Sequence, residues 1–428
     1  MATPGNDGLF VAIDLGTTTL AGRLLDGEGR TLAEQSLANP QQQYGADILT
    51  RLEQARNGHA DRLQRLQLDG LRTLIANLCA QAGTLPERVA AAAAAGNPGI
   101  TCLLRGLPVD SLLSPPYKPP DSHLAELPPD QLDVGLKVPL QIFPLVSGFV
   151  GGDLVAVVLG IAVGWPGDSP HAGTVPTSCK KTTLVIDVGT NGELALWDGE
   201  RWWVTSVAAG PAFEGGNVGV GMMLTDGAVC DVALQEDRFR LKVHGRGPAR
   251  GLCGSGLAAL IAAALQGGLI DHSGRIVETH EVESNLANSL VQKGAERAIC
   301  FYRDAQAELV LTQTDLRNFQ LAKGALHAGA EVLMERAGLS TEKLDQVLLA
   351  GALGSSLPST VLKRVALLPE PMLSKISFVA NGVLQGLESY LLTDDGPLIL
   401  ERLMDAMQPF PLSGTPAFEK RFLEALEF

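Results

Sequence analysis

Cysteine is scarce in this chain and scattered. Six occur in 428 residues (Cys79, Cys102, Cys179, Cys230, Cys253 and Cys300), and the closest two lie 23 positions apart. There is no Cys-x-x-Cys, so no zinc site or ferredoxin-type cluster is written into the spacing. The seven histidines are equally dispersed, with only His272 and His280 near one another; they read as surface imidazoles and the cysteines as buried thiols. Positive charge is also short: 33 Lys and Arg stand against 47 Asp and Glu, a net charge of −14. Such a chain lacks the basic footprint of a nucleic-acid binder, and no run of Lys and Arg marks a local patch. No Walker A sequence and no Gly-x-Ser-x-Gly occurs, which removes the P-loop and nucleophile-elbow chemistries. The first residues form neither a basic n-region nor an apolar h-region, so no signal peptide is expected. The one long apolar stretch, 138–165, is interrupted by Pro144, Gly151-Gly152 and Asp153. A carboxylate in mid-segment is costly in lipid. The stretch reads as a buried strand, a Gly-rich turn and a buried helix; no membrane association and a cytoplasmic location are expected.

What is present points to a large folded protein. Hydrophobic residues make up 46% and charged residues 19%, which excludes a disordered or collagen-like chain. The length suggests about two to three domains. Comparing the chain with itself shows how it is organised. Residues 11–17 read Val-Ala-Ile-Asp-Leu-Gly-Thr and residues 184–190 read Leu-Val-Ile-Asp-Val-Gly-Thr. Each is an apolar strand ending in Asp-x-Gly-Thr, followed by a second apolar run and an Asp-Gly turn at Asp26-Gly27 or Asp198-Gly199. The same hairpin start is used twice. Residues 1–165 are therefore expected to form a first subdomain and 182–428 a second, with the C-terminal helix able to pack back on the first. The Pro-, Gly- and Ser-rich stretch 166–181 reads as a linker. Helical periodicity marks 45–82, 255–267, 316–337 and 399–408, and strands are expected at 347–351 and 376–380. Ala90–Ala95 suits a buried strand, because Gly96-Asn97-Pro98 follows it. Mixed strands and helices in two related halves imply an α/β protein with a central cleft.

The repeated loop has a chemistry. Glycine permits a sharp turn and close approach to a ligand. Successive N–H groups and the Thr hydroxyl form a nest for phosphate oxygens. An Asp at the strand end repels phosphate directly but can hold Mg²⁺, often through water. Two such loops, 173 residues apart, together suit a polyphosphate. A third element, Val347 to Gly354, is an apolar strand entering a turn whose small residues would let a base or ribose lie against the backbone.

These residues resemble a known superfamily. Ile13-Asp14-Leu15-Gly16-Thr17-Thr18, Ile186-Asp187-Val188-Gly189-Thr190-Asn191 and Ala350-Gly351-Ala352-Leu353-Gly354 are similar to the phosphate 1, phosphate 2 and adenosine motifs of actin-like (ASKHA, ribonuclease H-like) ATPases. Within that superfamily the sequence most resembles the ATPase domain of reductive activators of corrinoid proteins. The resemblance covers nearly the whole chain. It includes Asn39-Pro40-Gln41, Tyr44-Gly45-Ala46-Asp47, Ala95-Gly96-Asn97 and Gly148 through Asp153. It continues through Ala209 to Gly215, Cys253-Gly254-Ser255-Gly256, Thr312-Gln313-Thr314-Asp315, Gln320-Leu321-Ala322-Lys323 and Phe378 to Asn381.

The resemblance implies two related subdomains around an interdomain nucleotide cleft, with ATP and Mg²⁺ as cofactors. It implies an ATPase that promotes reduction of a corrinoid protein, or corrinoid methyltransferase component, from Co(II) to Co(I). In that family an N-terminal [2Fe–2S] domain supplies the electron and a further domain precedes the ATPase. Here the first motif begins at residue 11, which leaves room for neither. A stand-alone form with no iron–sulfur cluster is expected, served by a separate ferredoxin-like donor. Ala352, where a second Gly is usual, and Pro98, where Thr is usual, are small departures.

The expected catalytic residues are Asp14, Asp187 and Glu214, with Asp14 and Asp187 also holding the metal. The expected nucleotide contacts are Gly16, Thr17, Thr18, Gly189, Thr190, Asn191, Gly254, Gly256, Gly351 and Gly354. Glu193 could orient a water or cap its strand. Glu214 sits in a loop with five glycines, and metal contact, partner sensing and a structural part are all open to it. Asp153 is accounted for as a helix cap, and its place after a Gly-rich turn keeps it a secondary candidate; Cys253 reads as a packed thiol. Two alternative functions stand beside the activator: a nucleotide-driven reactivase or clamp for a cobalamin enzyme, and a small-molecule kinase of the acetate or sugar type. The kinase would need a general base for its acceptor, and no residue clearly fills that role.

Overall fold

The computed structural model describes residues 8–133, 135–163, 181–351, 353, 357–412 and 414–428. The expected linker, apart from Lys181, lies outside the described residues, as do Gly354 and Ala352 of the third motif. The chain forms two compact units. One is built from the described part of 1–180 with Gly199–Val204 and Asn381–Phe410; the other comprises Lys181–Asp198, Thr205–Ala380 and Pro411–Phe428.

The first unit is organised on six strands: β1 (Leu9–Leu15), β2 (Thr19–Leu25), β3 (Thr31–Ala38), β4 (Val89–Gly96), β5 (Ala125–Leu127) and β6 (Leu140–Ile142), in the order β3-β2-β1-β4-β6-β5. β1 is central and Phe10 to Ile13 are fully buried, as a strand covered on both faces requires. Ala92 to Ala95 of β4 are buried beside it. Packing between neighbouring strands overrides alanine's helical preference there. The expected helix over 45–82 is divided into Ile48–Gln54 and Ala60–Gln81. The break falls at Gly58, whose φ of 97° only glycine adopts easily. Leu63, Leu71, Leu74, Ile75 and Leu78 of the longer helix join the core under the sheet.

Gly152–Val163 is the buried helix expected after the Gly-rich turn. It packs on Gly382–Leu392 so closely that a Cβ on Gly386 would lie 1.8 Å from the Ala156 carbonyl oxygen. Among the described residues no helix is long and apolar enough to cross a membrane.

The second unit repeats the arrangement. β7 (Thr183–Val188) pairs antiparallel with β8 (Gly192–Trp197), and β9 (Trp202–Val207) follows. Two inserted three-stranded sheets come next: β10 (Ala228–Gln235), β11 (Arg238–Val243) and β12 (Gly251–Leu252), then β13 (Leu290–Lys293), β14 (Glu296–Arg303) and β15 (Glu308–Thr312). β16 (Gln346–Gly351) is parallel to both β7 and β17 (Ile376–Phe378). Helix Gln313–Arg336 covers this sheet, and a Cβ on Gly192 would lie 2.3 Å from its Leu326. The helix opens with a capping box in which Thr312 and Asp315 each accept the other's backbone N–H. β18 (Met407–Pro409) pairs in parallel with Trp202–Val204 of β9, both within the first unit.

The repeat extends beyond the hairpin. Asp14 is opposite Ala95 and Leu15 opposite Gly96; Asp187 is opposite Ala350 and Val188 opposite Gly351. Each Asp-x-Gly-Thr strand thus lies against a parallel strand ending in Ala-Gly.

Candidate functional site

The first loop turns between β1 and β2. A Cβ on Gly16 would sit 2.5 Å from the Thr19 carbonyl oxygen, so the turn closes only around glycine. Its carbonyls are tied down by the segment after β3. Asn39 Nδ2 donates to the Gly16 oxygen at 2.9 Å, and the Asn39 N–H and Gln42 Nε2 donate to the Thr18 oxygen at 2.9 and 2.8 Å. With those acceptors occupied, the loop's chemistry toward a ligand is that of its donors. Asn97 Nδ2 donates to Thr17 Oγ1 at 3.0 Å, which fills an acceptor position and leaves that hydroxyl to donate outward. Asn97 also caps helix Pro98–Arg105, its Oδ1 accepting from the Ile100 N–H. Pro98 takes the first helical position, where proline is favoured.

Gly151 closes on the same place. A Cβ there would lie 2.5 Å from the Gly96 oxygen and 2.8 Å from Asp153 Oδ1. Asp153 begins its helix and accepts from the Leu154 N–H. Its carboxylate keeps some access to water, yet protein surrounds it closely enough to push its pKa up to about 6.

In the second loop, the Gly189 N–H donates to the Asn191 oxygen at 3.0 Å, and the Gly210 N–H to the Thr190 oxygen at 2.8 Å. The Thr190 hydroxyl donates to Glu214 Oε2. Glu214 Oε1 lies 3.7 Å from where a Gly189 Cβ would be, so both carboxylate oxygens face this loop. Burial pushes the Glu214 carboxyl above its ordinary pKa, against the lowering effect of the Thr190 bond. Gly351 has a φ of 85°, and a Cβ there would meet the Val188 oxygen at 2.2 Å and Asp187 Oδ1 at 2.6 Å.

The loop bearing Glu214 is held from behind. Phe213 packs edge-on against Phe319, with ring centroids 5.4 Å apart, and Phe319 stacks on Phe428 at 6.3 Å. Asp315 accepts from the Gly219 N–H at 2.7 Å.

Gly256 has a different explanation from the one expected. It lies in the first turn of helix Gly254–Gln266, and a Cβ there would be 1.9 Å from the Val229 oxygen of β10. Helix-to-strand contact accounts for this glycine without a ligand. Cys253 is buried, as expected, against the Val229 carbonyl and Ser255. No local pattern marks Asn39 and Asn97 as the residues that hold the first loop. Both stand in quoted motifs, but contacts spanning 23 and 80 residues leave no local signal.

Within each unit, then, an Asp at a strand end adjoins a glycine-dependent turn, hydroxyl donors and a fixed backbone. This set fits a nucleotide phosphate with Mg²⁺ held by few carboxylates and completed by water. Among the described residues no group of three or more His, Cys, Asp or Glu forms a denser metal site.

The sequence profile for the C-terminal domain of RACo, the ASKHA domain, matches residues 181–428, and that for the RACo middle region matches residues 9–163. The chain belongs to the RACo family. This overturns one expectation: the region preceding the ASKHA domain is present, as residues 9–163. The first Asp-x-Gly-Thr hairpin lies within that region.

Corrinoid activation enzyme RamQ of Eubacterium limosum is 27% identical over 424 residues, 96% of this chain and 69% of that protein. A [Co(II) methylated amine-specific corrinoid protein] reductase of Methanosarcina barkeri is 27% identical over 209 residues, 44% of this chain and 35% of that one. A solved reductive activator for corrinoid,iron-sulfur protein superposes with a TM-score of 0.87 at 28% identity, covering 100% of this chain and 67% of that one. The RACo fold is thus shared over the full length of the chain.

Proposed function

We propose that this RACo-family chain is a Mg²⁺-dependent ATPase that activates a corrinoid protein, driving the cobalt from Co(II) to Co(I). The observation that carries this reading is that likeness to corrinoid activators extends over the whole chain, both phosphate loops included. Co(II) gains one electron in that step, and a ferredoxin-like donor supplies it.

The residues have separate parts in this reading. Thr17, Thr18, Thr190 and Asn191 donate to phosphate oxygens, together with the N–H groups around Gly16 and Gly189. Asp14 and Asp187 orient the water shell of the metal, which when bound offsets phosphate charge. Gly351 lets the backbone approach the nucleoside. Glu214 positions or deprotonates the attacking water and exchanges its Thr190 bond for that water when nucleotide arrives.

The test is Mg·ATP hydrolysis with and without a Co(II)-corrinoid protein, for wild type and for the Asp14→Ala, Asp187→Ala double variant. Stimulation by the partner that vanishes in the variant is the expected result. Hydrolysis indifferent to the partner would remove the activator reading and turn attention to a kinase acceptor.

A further inference from the structure

The segment from Arg238 to Arg250 departs from the charge of the rest of the chain. It carries Arg238, Arg240, Lys242, Arg246 and Arg250 without one Asp or Glu, in a protein of net charge −14. Along β11 the alternation is strict: Arg238, Arg240 and Lys242 are exposed, and Phe239, Leu241 and Val243 are half-buried. The absence of a run of Lys and Arg leaves room for such a patch. A basic residue at every second position is not a run in sequence, but on a strand it makes a one-sided row spaced about 6.8 Å. No ion pair to these three side chains occurs among the described residues.

β11 is also an edge. It pairs with β10 and ends its three-stranded sheet. Alongside lies a groove of about 740 Å³, lined by Arg238 to Arg240 of β11, by Asn285, Asn288 and Ser289, and by Cys300 to Arg303 of β14. That part of β14 runs past β13, whose pairing stops at Leu290 opposite Ile299, and among the described residues its strand partner is β15. Among the described residues the groove is therefore bordered by two strand stretches that each lack a strand partner on one side, with Asn285, Asn288 and Ser289 between them as polar lining. Exposed edges of this kind are templates for strand addition.

We propose that this groove receives an extended acidic segment of a partner protein, added as a strand along β11. Its carboxylates, at every second residue, lie across from Arg238 and Arg240 in the groove and from Lys242 farther along β11, which also faces Asp231 of β10 in register. Opposite charges directly across a strand pair attract, and like charges repel. The other charges around the groove set the register. Arg303 is occupied by Glu308, and Glu236 and Asp237 at the hairpin tip repel acids placed beyond Arg238. An extended protein segment suits the site better than nucleic acid, because the groove offers strand edges and the chain as a whole repels a long polyanion. The inference deepens the proposed function by naming the chemistry of the partner, and rests on that reading only in taking the partner to be a protein.

The test uses two labelled peptides of about 11 residues and equal charge, one alternating Glu and Thr and one with its Glu in a single block. Binding is followed by fluorescence anisotropy. The alternating peptide is expected to bind more tightly than the blocked one and to weaken steeply between about 20 and 200 mM salt. The Arg238→Glu, Arg240→Glu, Lys242→Glu variant is expected to lose about tenfold or more in affinity while hydrolysing Mg·ATP like wild type. No binding, equal binding of the blocked peptide, unchanged binding by the variant, or displacement by a duplex DNA of matched charge would each overturn the proposal. The assay needs neither nucleotide nor corrinoid, so its failure leaves the activator reading intact, and failure of the hydrolysis test leaves this result readable.

Discussion

The Thr190 hydroxyl donates to the Glu214 carboxylate, which places an acid against the very loop proposed to bind phosphate. A carboxylate and a phosphate repel there, so nucleotide must displace Glu214 or meet it through a metal. Burial raises the carboxyl's pKa, which softens the repulsion as pH falls. Glu214→Gln is expected to bind a non-hydrolysable ATP analogue more tightly, by up to about tenfold. It should also hydrolyse ATP at least about tenfold more slowly, as loss of a general base does. Calorimetric affinity and phosphate release, measured side by side, check both. A parallel fall in the two would mean that Glu214 only supports the loop.

Asn97 performs two tasks with two ends of one side chain, and a pair of variants separates them. Asn97→Ala removes the cap on the Pro98–Arg105 helix, at about 1 kcal/mol, together with the bond to Thr17. Asn97→Asp keeps an acceptor for the Ile100 N–H but cannot donate to Thr17. Asn97→Asp should therefore melt near wild type while binding nucleotide as weakly as Asn97→Ala, or more so through added negative charge. Thermal melts with nucleotide titrations decide it. Nucleotide affinity preserved in Asn97→Asp would show that the Thr17 bond is incidental.

Much of this site could be read from the chain, and the reasons differ by residue. Asp14 and Asp187 were legible because each ends an apolar strand, where Asp is poorly suited, and because the pattern recurs. Ala350-Gly351 was legible as a strand end. Its equivalence to Ala95-Gly96 was not, because register between distant parallel strands has no sequence mark. The Glu214 contact with Thr190 and the Asn97 contact with Thr17 depend on tertiary closure. The family motifs pointed at these residues without saying what they touch. The kink at Gly58 was hidden by apolar periodicity continuing on both sides of it. The basic row on β11 was hidden because a search for runs does not see a period of two.

Gly351 combines a left-handed backbone with a carbonyl close behind it. Its φ of 85° disfavours any side chain, and a Cβ would overlap the Val188 carbonyl and press on Asp187. Gly351→Ala is expected to lose about 2–4 kcal/mol of stability, from backbone strain and overlap together. It should also displace Asp187 from its place beside the turn. Urea unfolding gives the first quantity; Mg²⁺ dependence of ATP-analogue binding reads the second. Wild-type values for both would mean that the local backbone can rearrange without consequence.

The buried Lys323 supplies a stability prediction with a definite direction. Its ammonium donates to the Glu427 carbonyl and lies 5.0 Å from the Phe428 ring centre, and burial lowers its pKa from 10.5 to about 8. Between those values the unfolded chain holds the proton more tightly, so this group makes the fold more stable as pH rises. Lys323→Met lacks the effect. The stability of wild type relative to the variant should therefore increase from pH 8 toward 10.5, measured as the difference between paired urea curves. A flat difference would place the ammonium in contact with water.

Asp153 gives the opposite slope at the opposite end of the scale. Its pKa rises from 3.8 to about 6 on folding, because protein crowds the charged form. The folded state then holds the proton more tightly, so the stability contributed by this group is present below pH 3.8 and lost as pH rises through 6. Asp153→Asn can still accept from the Leu154 N–H, as Oδ1 does at 2.9 Å, but carries no charge. The variant should match wild type near pH 4 and melt above it at pH 7, by about 2–4 °C for each kcal/mol relieved. Paired melts at the two pH values test this. A variant less stable than wild type at pH 7 would show that the ionised carboxylate is satisfied in place, most directly by a cation held beside the first loop.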